Sequence, residues 1–428
     1  MSHLLDTLTA RGMVHDATPG LADRLAQGPI TAYVGFDPTA DSLHVGNLVP
    51  VMALAWLQRL GGRPLVLVGG GTGLVGDPSG KRTERPMLSP ETVAANAAAL
   101  QGQLARFFAF GEGATDARLV DNGTWLAPLG LLEFLRDAGK HFTVSYMLQK
   151  DTVKSRLDSG ISFTEFTYML VQAYDFAHLA RVHRCELQMG GSDQWGNITA
   201  GIELAARRDG TKLHGLVLPL LTTASGAKFG KSEAGNCWLD AARTSPYQFH
   251  QFWLRSEDAD VERFLKFFTF LSFEEIVAIM TEHLADPSRR VGQRRLADDV
   301  TTRVHGAASV ERVSQVGQIL FGVGDLRSAD PAILDMVRGE IPSVVITPAQ
   351  LSSGLGVIDA FVQAGLAESK KQAKQFASTG SLWINDVVTD GQTPIGSKDI
   401  VPGTNTIFLR RGKRQWAALH VASTGADA

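Results

Sequence analysis

The stretch that decides the fold is TAYVGFDPTADSLHVGN, residues 31–47. Its first six residues are mostly apolar, with β-branched and aromatic side chains, and predict a buried strand over 31–36. Asp37 and Pro38 then predict a tight turn. The apolar run that follows, residues 48–60, predicts a helix. A strand that leads through a short turn to a helix is the first unit of an alternating strand–helix fold.

The same alternation continues to about residue 225. Short apolar runs predict strands, and longer runs with helical periodicity predict the helices between them. The further predicted strands are 64–68, 118–121, 186–189 and 216–221, and the further helices are 91–108, 163–179 and 195–207. This order predicts an α/β fold with a parallel sheet covered on both faces. In such folds, ligands bind at the carboxyl ends of the strands.

Length and composition predict more than one globular domain. The chain has 428 residues, of which 44% are hydrophobic and 20% charged, and one core rarely grows to that size. From about 246 to 338 the pattern becomes helical and rich in aromatic residues. Residues 339–356 carry turn residues and predict a linker, although the apolar run 344–346 counts against it. Residues 357–428 predict a small compact unit.

Charge and cysteine content limit the classes of function. The net charge of −3 gives no global attraction to nucleic acid, so any RNA contact needs local basic patches. Cys185 and Cys237 have no zinc-site spacing and no disulfide framework follows from them, which favours a reducing cytoplasm. The N-terminus has no apolar signal core, and the apolar stretch 48–57 is too short to span a bilayer. We therefore expect a cytoplasmic protein without a membrane span.

The segment His44-Val-Gly-Asn47 opens the predicted helix 48–60. A helix N-terminus offers N–H groups and partial positive charge, which suit a phosphate. Gly46 allows a nucleotide to approach the backbone closely, and His44 can donate a hydrogen bond to charge on a phosphate oxygen. The alternative is that His44 only caps the helix.

A glycine-rich loop, residues 69–81, follows the predicted strand 64–68. Gly71, Gly73 and Gly76 match a dinucleotide-binding fingerprint in spacing. The match is weak, because Asp77-Pro78 follows where a crossover helix should continue. The loop is not a Walker A motif either. A turn that binds no ligand is the alternative.

Polar residues recur on the predicted helix 163–179 and after the predicted strand 186–189. Tyr168, Gln172 and Asp175 are spaced to share one helix face. Because their neighbours are largely apolar, we expect this face to be buried and its polar groups to need partners; a solvent-facing stripe is the alternative. Residues 190–197 stand where a ribose-binding carboxylate is expected, although Ser192 or Asp193 could simply cap a helix.

A lysine-containing loop, Lys228-Phe-Gly-Lys231-Ser232, follows the last predicted strand. Small residues around it predict mobility, and its two lysines could clamp a triphosphate as it reacts. In isolation, an exposed loop of this kind commonly has no function. The loop therefore supports a role in triphosphate binding only together with the other motifs.

Together these five segments, in this order, resemble the bacterial tyrosyl-tRNA synthetases across essentially the whole chain. Residues 44–47 are similar to the HIGH signature of class I synthetases, and residues 228–232 to their KMSKS loop. The resemblance implies a homodimer of three-domain chains. The implied parts are a Rossmann-like catalytic domain over 1–225 with a dimer-contact insertion around Glu133 to Leu157, a KMSKS-type loop and α-helical anticodon-binding domain over 226–338, and, after the linker 339–356, a small α+β, alpha-L-type RNA-binding domain over 357–428.

The resemblance also implies a role for each matching residue. Tyr33 and Asp175 would hold the phenol hydroxyl of tyrosine, and its ammonium group would contact Tyr168, Gln172 and Asp77. The residues implied around ATP are Asp37, Thr39, His44, Gly46, Asn47, Asp193, Gln194, Lys228, Lys231 and Ser232. Of these, the implied catalytic residues are His44, Lys228 and Lys231, with both lysines on pyrophosphate. Lys81 and Arg85 resemble a second loop that assists there.

The implied reaction forms tyrosyl-adenylate and pyrophosphate from tyrosine and ATP, then transfers the tyrosyl group to the 3′ end of tRNA(Tyr). The substrate carboxylate is already ionised, so it can attack the α-phosphate without an activated nucleophile. Positioning and charge stabilisation by His, Lys and Mg²⁺ would suffice. We expect Mg²⁺ to be carried by the phosphates, since the chain contains no motif such as His-Glu-x-x-His.

This sequence departs from the family pattern at a few positions. Asn47 stands where the signature usually has histidine, although its amide can still donate a hydrogen bond. Phe229 and Gly230 replace the Met and Ser of the generic KMSKS loop, as is frequent in the tyrosyl branch.

The C-terminal unit resembles the alpha-L RNA-binding motif. Ser369 and Gln372 form a capping-box pattern at the start of a predicted helix, and a strand pattern follows at 382–385. Asp386 stands where the motif usually turns at glycine. The basic residues that could neutralise tRNA phosphates are Lys370, Lys371, Lys374, Arg410 and Arg411. These charges could instead only solvate a surface.

Three other functions remain open from sequence. One is a tryptophanyl enzyme, which Tyr33 and Asp175 disfavour because their polar ends suit a hydroxyl group. Another is a nucleotidyltransferase with a similar helix start, which the helical and RNA-binding regions disfavour. The third is a non-catalytic RNA-binding relative, which the lysine loop and His44 disfavour.

Overall fold

The computed structural model describes residues 3–79, 87–150, 153–154, 157, 160–227, 229–232 and 235–422. The chain divides into two compact units. The first contains Met1–Ser245 and Gln251–Val304, and the second contains Pro246–His250 and His305–Ala428.

The first unit is built on a six-stranded, mainly parallel sheet. In chain order its strands are β1 (Asp16–Ala17), β2 (Thr31–Phe36), β3 (Arg63–Val68), β4 (Arg118–Asp121), β5 (Cys185–Gly191) and β6 (His214–Leu218). Their spatial order is β1-β6-β5-β2-β3-β4, with β1 antiparallel to β6 and the other pairings parallel. The strand order reverses between β2 and β5, which is where ligands bind in open α/β sheets. The predicted α/β fold is confirmed.

In the first unit helices pack on this sheet, and helices also build much of the second unit. In chain order the helices are α1 (Leu4–Ala10), α2 (Leu21–Ala26), α3 (Leu48–Arg59), α4 (Pro90–Leu104), α5 (Gly123–Leu126), α6 (Leu131–Asp137), α7 (Val144–Leu148), α8 (Phe163–His183), α9 (Trp195–Asp209), α10 (Pro246–Leu254), α11 (Asp258–Phe268), α12 (Phe273–Ala285), α13 (Val291–His305), α14 (Ala307–Leu320), α15 (Pro331–Gly339), α16 (Pro348–Ser352), α17 (Val357–Gln363) and α18 (Lys370–Ser378). Across the described residues, no helix is both long and apolar enough to cross a bilayer.

The elements next to the predicted crevice lie close to their predicted bounds. β2 covers the predicted 31–36, and α3 begins where the predicted helix begins. α8 was expected to end at 179 but continues to His183. It ends there because Arg184 adopts the left-handed conformation, with φ 55°, and its backbone N–H donates to the Leu179 carbonyl.

The core of the first unit fixes these elements from both sides. Leu65 on β3, Phe176 on α8 and Leu204 on α9 are completely buried in one apolar cluster. A core packed at this density holds strand ends and helix faces in fixed positions. The polar groups that project from those ends are therefore placed rigidly.

The second unit contains a five-stranded sheet with the order β11-β10-β12-β13-β9. Its strands are β9 (Ser343–Ile346), β10 (Leu382–Ile384), β11 (Val387–Val388), β12 (Thr406–Arg411) and β13 (Gln415–Val421). β9 lies inside the predicted linker 339–356 and pairs in parallel with β13. The apolar run 344–346 is thus part of this sheet, and Ile346 is buried in its core. A short ribbon in the first unit pairs β7 (Lys231–Ser232) with β8 (Gly235–Asn236).

Candidate active site

A cavity of about 810 Å³ opens at the carboxyl ends of β2 and β5, within the first unit. This volume is in the range of small-molecule sites. The sequence-predicted residues that line it are Tyr33, Asp37, Thr39, His44, Gly46, Asn47, Asp77, Tyr168, Gln172, Asp175, Asp193 and Gln194. Lys81, Arg85 and Lys228 lie outside the described residues. Lys231 and Ser232 form β7, and their side chains also lie outside the described part of the chain.

A buried phenol and a buried carboxyl group form part of the cavity wall. Tyr33 on β2 is 1% exposed, and its ring lies 5.3 Å from that of Phe176. Its hydroxyl has no hydrogen-bond partner among the described residues. Burial, with the nearby charge of Asp175, raises the pKa of Tyr33 well above its ordinary value. A buried hydroxyl is rarely left unpaired, so this one is available to a ligand.

Asp175 on α8 is held by two donors that sequence analysis missed. Asn122 Nδ2 donates to its Oδ2 at 2.8 Å, and Trp125 Nε1 donates to its Oδ1 at 2.7 Å. Burial raises the pKa of Asp175 to about 7, while these two hydrogen bonds favour the ionised form and lower it. The carboxyl group is therefore poised near neutral pH with its orientation fixed.

Asn122 connects this carboxyl group to the other side of the cavity. Its Nδ2 also donates to Thr72 Oγ1 at 3.0 Å, and Thr72 Oγ1 donates to Asp37 Oδ1 at 2.8 Å. The Tyr168 hydroxyl donates to Asp37 Oδ2 at 3.0 Å. Burial and the charge of Asp37 raise the pKa of Tyr168, which keeps it a donor. Tyr168 is 2% exposed and Asp175 1% exposed, so their helix face is buried, as expected, and not a solvent-facing stripe.

A second network fixes Asp77 and Gln172. Gln194 Nε2 donates to Asp77 Oδ2 at 2.7 Å. Asn197 Nδ2 donates to Gln172 Oε1 at 3.1 Å and to Gln194 Oε1 at 3.2 Å. Asn197 was not predicted, yet it joins the loop after β3, helix α8 and helix α9 into one polar layer.

His44 occupies the cap position of the 3₁₀ turn Val45–Asn47. Its Nδ1 accepts from the Gly46 N–H at 3.0 Å, and its own backbone N–H donates to Asn47 Oδ1 at 3.0 Å. The capping alternative is thus correct for one ring nitrogen. A neutral imidazole that accepts at Nδ1 carries its proton on Nε2, so the second nitrogen is a donor. Asn47 acts here through its oxygen, as the reciprocal cap of His44.

The glycine-rich loop after β3 brings the backbone against two carboxylates. A Cβ at Gly69 would lie 2.3 Å from Asp37 Oδ1, and one at Gly70 would lie 2.2 Å from Asp121 Oδ1. Any side chain there would displace these groups. The loop continues as a short 3₁₀ turn, Thr72–Leu74, and is not the start of a dinucleotide-binding helix.

The predicted RNA contacts in the second unit differ in their surroundings. Lys371 and Lys374 lie on α18, and Lys370 pairs with Asp359 at 2.6 Å on an exposed surface. Arg411 lies 4.9 Å from the Phe376 ring. These side chains belong to the face of α18 and the adjoining strand β12.

Arg410 does not share that exposure. It is 8% exposed, and its guanidinium lies 4.3 Å from the Trp383 ring and 5.2 Å from the Trp416 ring. It also pairs with Asp386 Oδ1 at 3.4 Å and donates to the Gly412 carbonyl at 2.7 Å. The structure therefore corrects the expectation of an RNA contact here, because the guanidinium is enclosed by its own domain.

Comparison with known proteins identifies the family of this chain. Residues 25–322 match the class I tRNA synthetases for tryptophan and tyrosine. A tyrosine–tRNA ligase from Anaeromyxobacter dehalogenans is 58% identical over 98% of this chain and 100% of its own. The chain belongs to the bacterial tyrosyl-tRNA synthetase family. The identity extends over the full length, so it includes both units.

Two further tyrosyl-tRNA synthetase relatives cover different shares of this chain. Tyrosine–tRNA ligase 1 from Bacillus subtilis is 43% identical over 97% of this chain and 99% of its own. The C-terminally truncated mitochondrial tyrosyl-tRNA synthetase from Aspergillus nidulans has a TM-score of 0.68 and 35% identity, covering 75% of this chain and 95% of that one. Residues 334–419 match the C-terminal domain of SYY-like tyrosine–tRNA ligases.

The missed residues Asn122 and Trp125 carried a usable signal. They follow β4 directly, at the carboxyl edge of the parallel sheet where ligand-binding groups collect. The predicted strand 118–121 already placed them there. Asn197 ends the segment 190–197, which the sequence places at the same edge, but it was not singled out because a polar residue in the first turn of a helix resembles an ordinary surface position.

Proposed function

We propose that this chain is a tyrosine–tRNA ligase that forms tyrosyl-adenylate and pyrophosphate from tyrosine and ATP, then transfers the tyrosyl group to tRNA(Tyr). The observation that carries the proposal is the buried Tyr33 hydroxyl, unpartnered among the described residues and close to the oriented carboxyl group of Asp175. A donor and an acceptor at this point of the cavity are complementary to a phenol hydroxyl. Phenylalanine would leave the Tyr33 hydroxyl buried and unpaired and would offer no donor to Asp175, which is costly.

The ammonium group of tyrosine would be held by Asp77, Gln172 and Tyr168. The Asp77 carboxylate and the Gln172 amide oxygen are both acceptors, and Asn197 and Gln194 fix their directions. Tyr168 keeps its proton and is positioned by Asp37. An ammonium group donates three hydrogen bonds, which this set of oxygens can accept.

Activation needs the substrate carboxylate to attack the α-phosphorus of ATP while the bond to pyrophosphate breaks. His44 Nε2 would donate to a phosphate oxygen at the start of α3, and Asp37, Thr39, Gly46, Asn47, Asp193, Gln194 and Ser232 would surround the adenylate. Lys228 and Lys231, with Lys81 and Arg85, would stabilise the leaving pyrophosphate. In the second step, a ribose hydroxyl at the tRNA 3′ end attacks the adenylate carbonyl carbon and AMP leaves.

Magnesium would enter this reaction on the phosphates of ATP. Among the described residues, no group of three His, Cys, Asp or Glu side chains is arranged to hold a metal ion. Mg²⁺ commonly binds through substrate phosphates, where it neutralises charge. We propose a cytoplasmic location for the reaction, because tyrosine, ATP and tRNA are all present there.

The homodimer is a further part of the proposal. Helices α6 and α7 and the start of α8 expose large apolar side chains, namely Leu131, Leu132, Leu135, Val144 and Phe163. Exposed apolar groups in this number commonly mark a protein interface. Leu132→Glu, on α6, should convert the dimer to a monomer in sedimentation equilibrium. Val182→Glu changes an exposed apolar residue near the end of α8 and should leave the protein dimeric. A wild-type monomer would refute this part.

The experiment that tests the function is ATP–pyrophosphate exchange with each of the twenty amino acids, followed by charging of tRNA. Exchange with tyrosine alone supports the assignment of the phenol site. Exchange with tryptophan would overturn the roles of Tyr33 and Asp175. Absence of exchange with every amino acid would overturn the activity itself.

A further inference from the structure

His178 lies on the same face of α8 as Asp175, one helical turn further along the chain. Its ring stacks on the Trp125 indole with a centroid distance of 4.5 Å and an interplanar angle of 13°. The same indole donates from Nε1 to Asp175 Oδ1 at 2.7 Å. Residues three apart on a helix are neighbours, so one helix face supplies both the acceptor for the indole and the surface against which the indole lies.

We propose that His178 is a positioning residue for tyrosine recognition, acting through Trp125 on the carboxyl group of Asp175. The proposal rests on the proposed function, because it assigns Asp175 to the substrate phenol. The indole can rotate about its side-chain bonds, and α5, which carries it, is only four residues long. Parallel stacking restricts the ring plane, so the N–H remains aimed at the carboxylate.

The surroundings of His178 favour a stacked, neutral imidazole. Burial, with the nearby charge of Arg181, lowers the pKa of His178 to about 4. A neutral ring can lie flat on an indole without a charge to solvate, and such pairs contribute beyond their buried area.

The test compares four variants by ATP–pyrophosphate exchange at saturating concentrations of the other substrate. His178→Ala and His178→Leu remove the flat ring, the second without leaving an empty space. His178→Phe keeps a flat ring without nitrogen atoms. His183→Ala is the matched control, since it removes a histidine from the last turn of the same helix.

We expect the KM for tyrosine to rise about three- to tenfold in the Ala and Leu variants, the range typical of one aromatic pair. The KM for ATP and kcat should change less than about twofold, and the Phe variant should recover wild-type KM within about twofold. A purely structural role would lower thermal stability without this selective change. An unchanged KM for tyrosine in the Leu variant, or a Phe variant as impaired as Leu, would overturn the proposal. If the wild-type protein shows no tyrosine-dependent exchange, the proposed function itself fails first.

Discussion

The amide of Asn122 donates a 2.8 Å hydrogen bond to Asp175 Oδ2 from a position with no solvent exposure. Its oxygen accepts from the Gly71 N–H at 2.8 Å. One side chain therefore joins the glycine-rich loop after β3 to the carboxyl group on α8. The loop and the phenol site form one polar unit, and a change in either should affect the other.

Asn122→Ala tests this connection. The variant removes one hydrogen bond each from Asp175 Oδ2, Thr72 Oγ1 and the Gly71 N–H. A buried polar group that is left unsatisfied costs about 1–3 kcal/mol. We expect a lower thermal midpoint and a raised KM for tyrosine together. Asn96→Ala is the control, because the Asn96 side chain makes a single hydrogen bond among the described residues, to the Pro38 carbonyl at 3.0 Å. Equal effects of the two substitutions on KM would contradict the connection.

Tyr33→Phe tests amino-acid selectivity. The variant removes the hydroxyl that would pair with the substrate phenol but leaves the ring packing against Phe176. Loss of one hydrogen bond of this kind should reduce the ratio of kcat/KM for tyrosine over phenylalanine by about 2- to 12-fold, from a contribution of about 0.5–1.5 kcal/mol. Exchange assays with both amino acids measure the ratio. Tyr174→Phe changes a buried tyrosine of α8 that does not line the cavity, and it should leave the ratio unchanged.

Asp175→Asn tests the titration of the buried carboxyl group. Burial raises the pKa of Asp175 from 3.8 to about 7 in the folded chain. Between these pH values the folded state holds a proton that the unfolded state has lost. The contribution of Asp175 to the free energy of unfolding is therefore largest below about pH 4, declines as the pH rises and is constant above about pH 7.

The measurable quantity is the difference in thermal midpoint between the wild-type protein and the Asn variant. The thermal midpoint of the wild-type protein should fall relative to that of the Asn variant as the pH rises from 5.5 to about 7. The difference should then stay constant up to pH 8.5. A difference that is the same at every pH would mean that Asp175 is ionised in the folded chain throughout this range. Salt concentration must be kept constant, since it screens neighbouring charges.

Local pattern located part of the cavity wall, and the family resemblance supplied the expected roles of its residues. The strand over 31–36 carries Tyr33 to the carboxyl edge, and the helical spacing of Tyr168, Gln172 and Asp175 fixes a shared face. Both depend only on residues close in sequence. The predicted strand 118–121 also places Asn122 and Trp125 near that edge, but it does not give their partner Asp175, which lies about fifty residues away on α8.

The same limit explains Arg410. In the antiparallel register of the second unit, Trp383 on β10 and Trp416 on β13 both lie opposite Arg410 on β12. The two indoles enclose the guanidinium only because three strands separated in sequence align in this way. A cluster of arginines near the C-terminus gives no sign of that alignment. Sequence alone therefore predicts an RNA contact at Arg410, whereas its side chain is buried in the structure.

The lysines of α18 provide the last prediction, on tRNA binding. Lys371 and Lys374 are exposed cations on one short helix. A cation that contacts a phosphate releases a bound counterion. Removing one such contact should lower affinity for tRNA and reduce the slope of log K against log salt by about 0.7–0.9. We expect this for Lys371→Ala and Lys374→Ala, with unchanged ATP–pyrophosphate exchange, whereas Lys→Arg at each position should keep the slope.

Arg410→Met should lower the thermal midpoint and leave the slope as in the wild type, because its charge is enclosed by Trp383, Trp416 and Asp386. A reduced slope in the Met variant would instead return Arg410 to the RNA-binding surface.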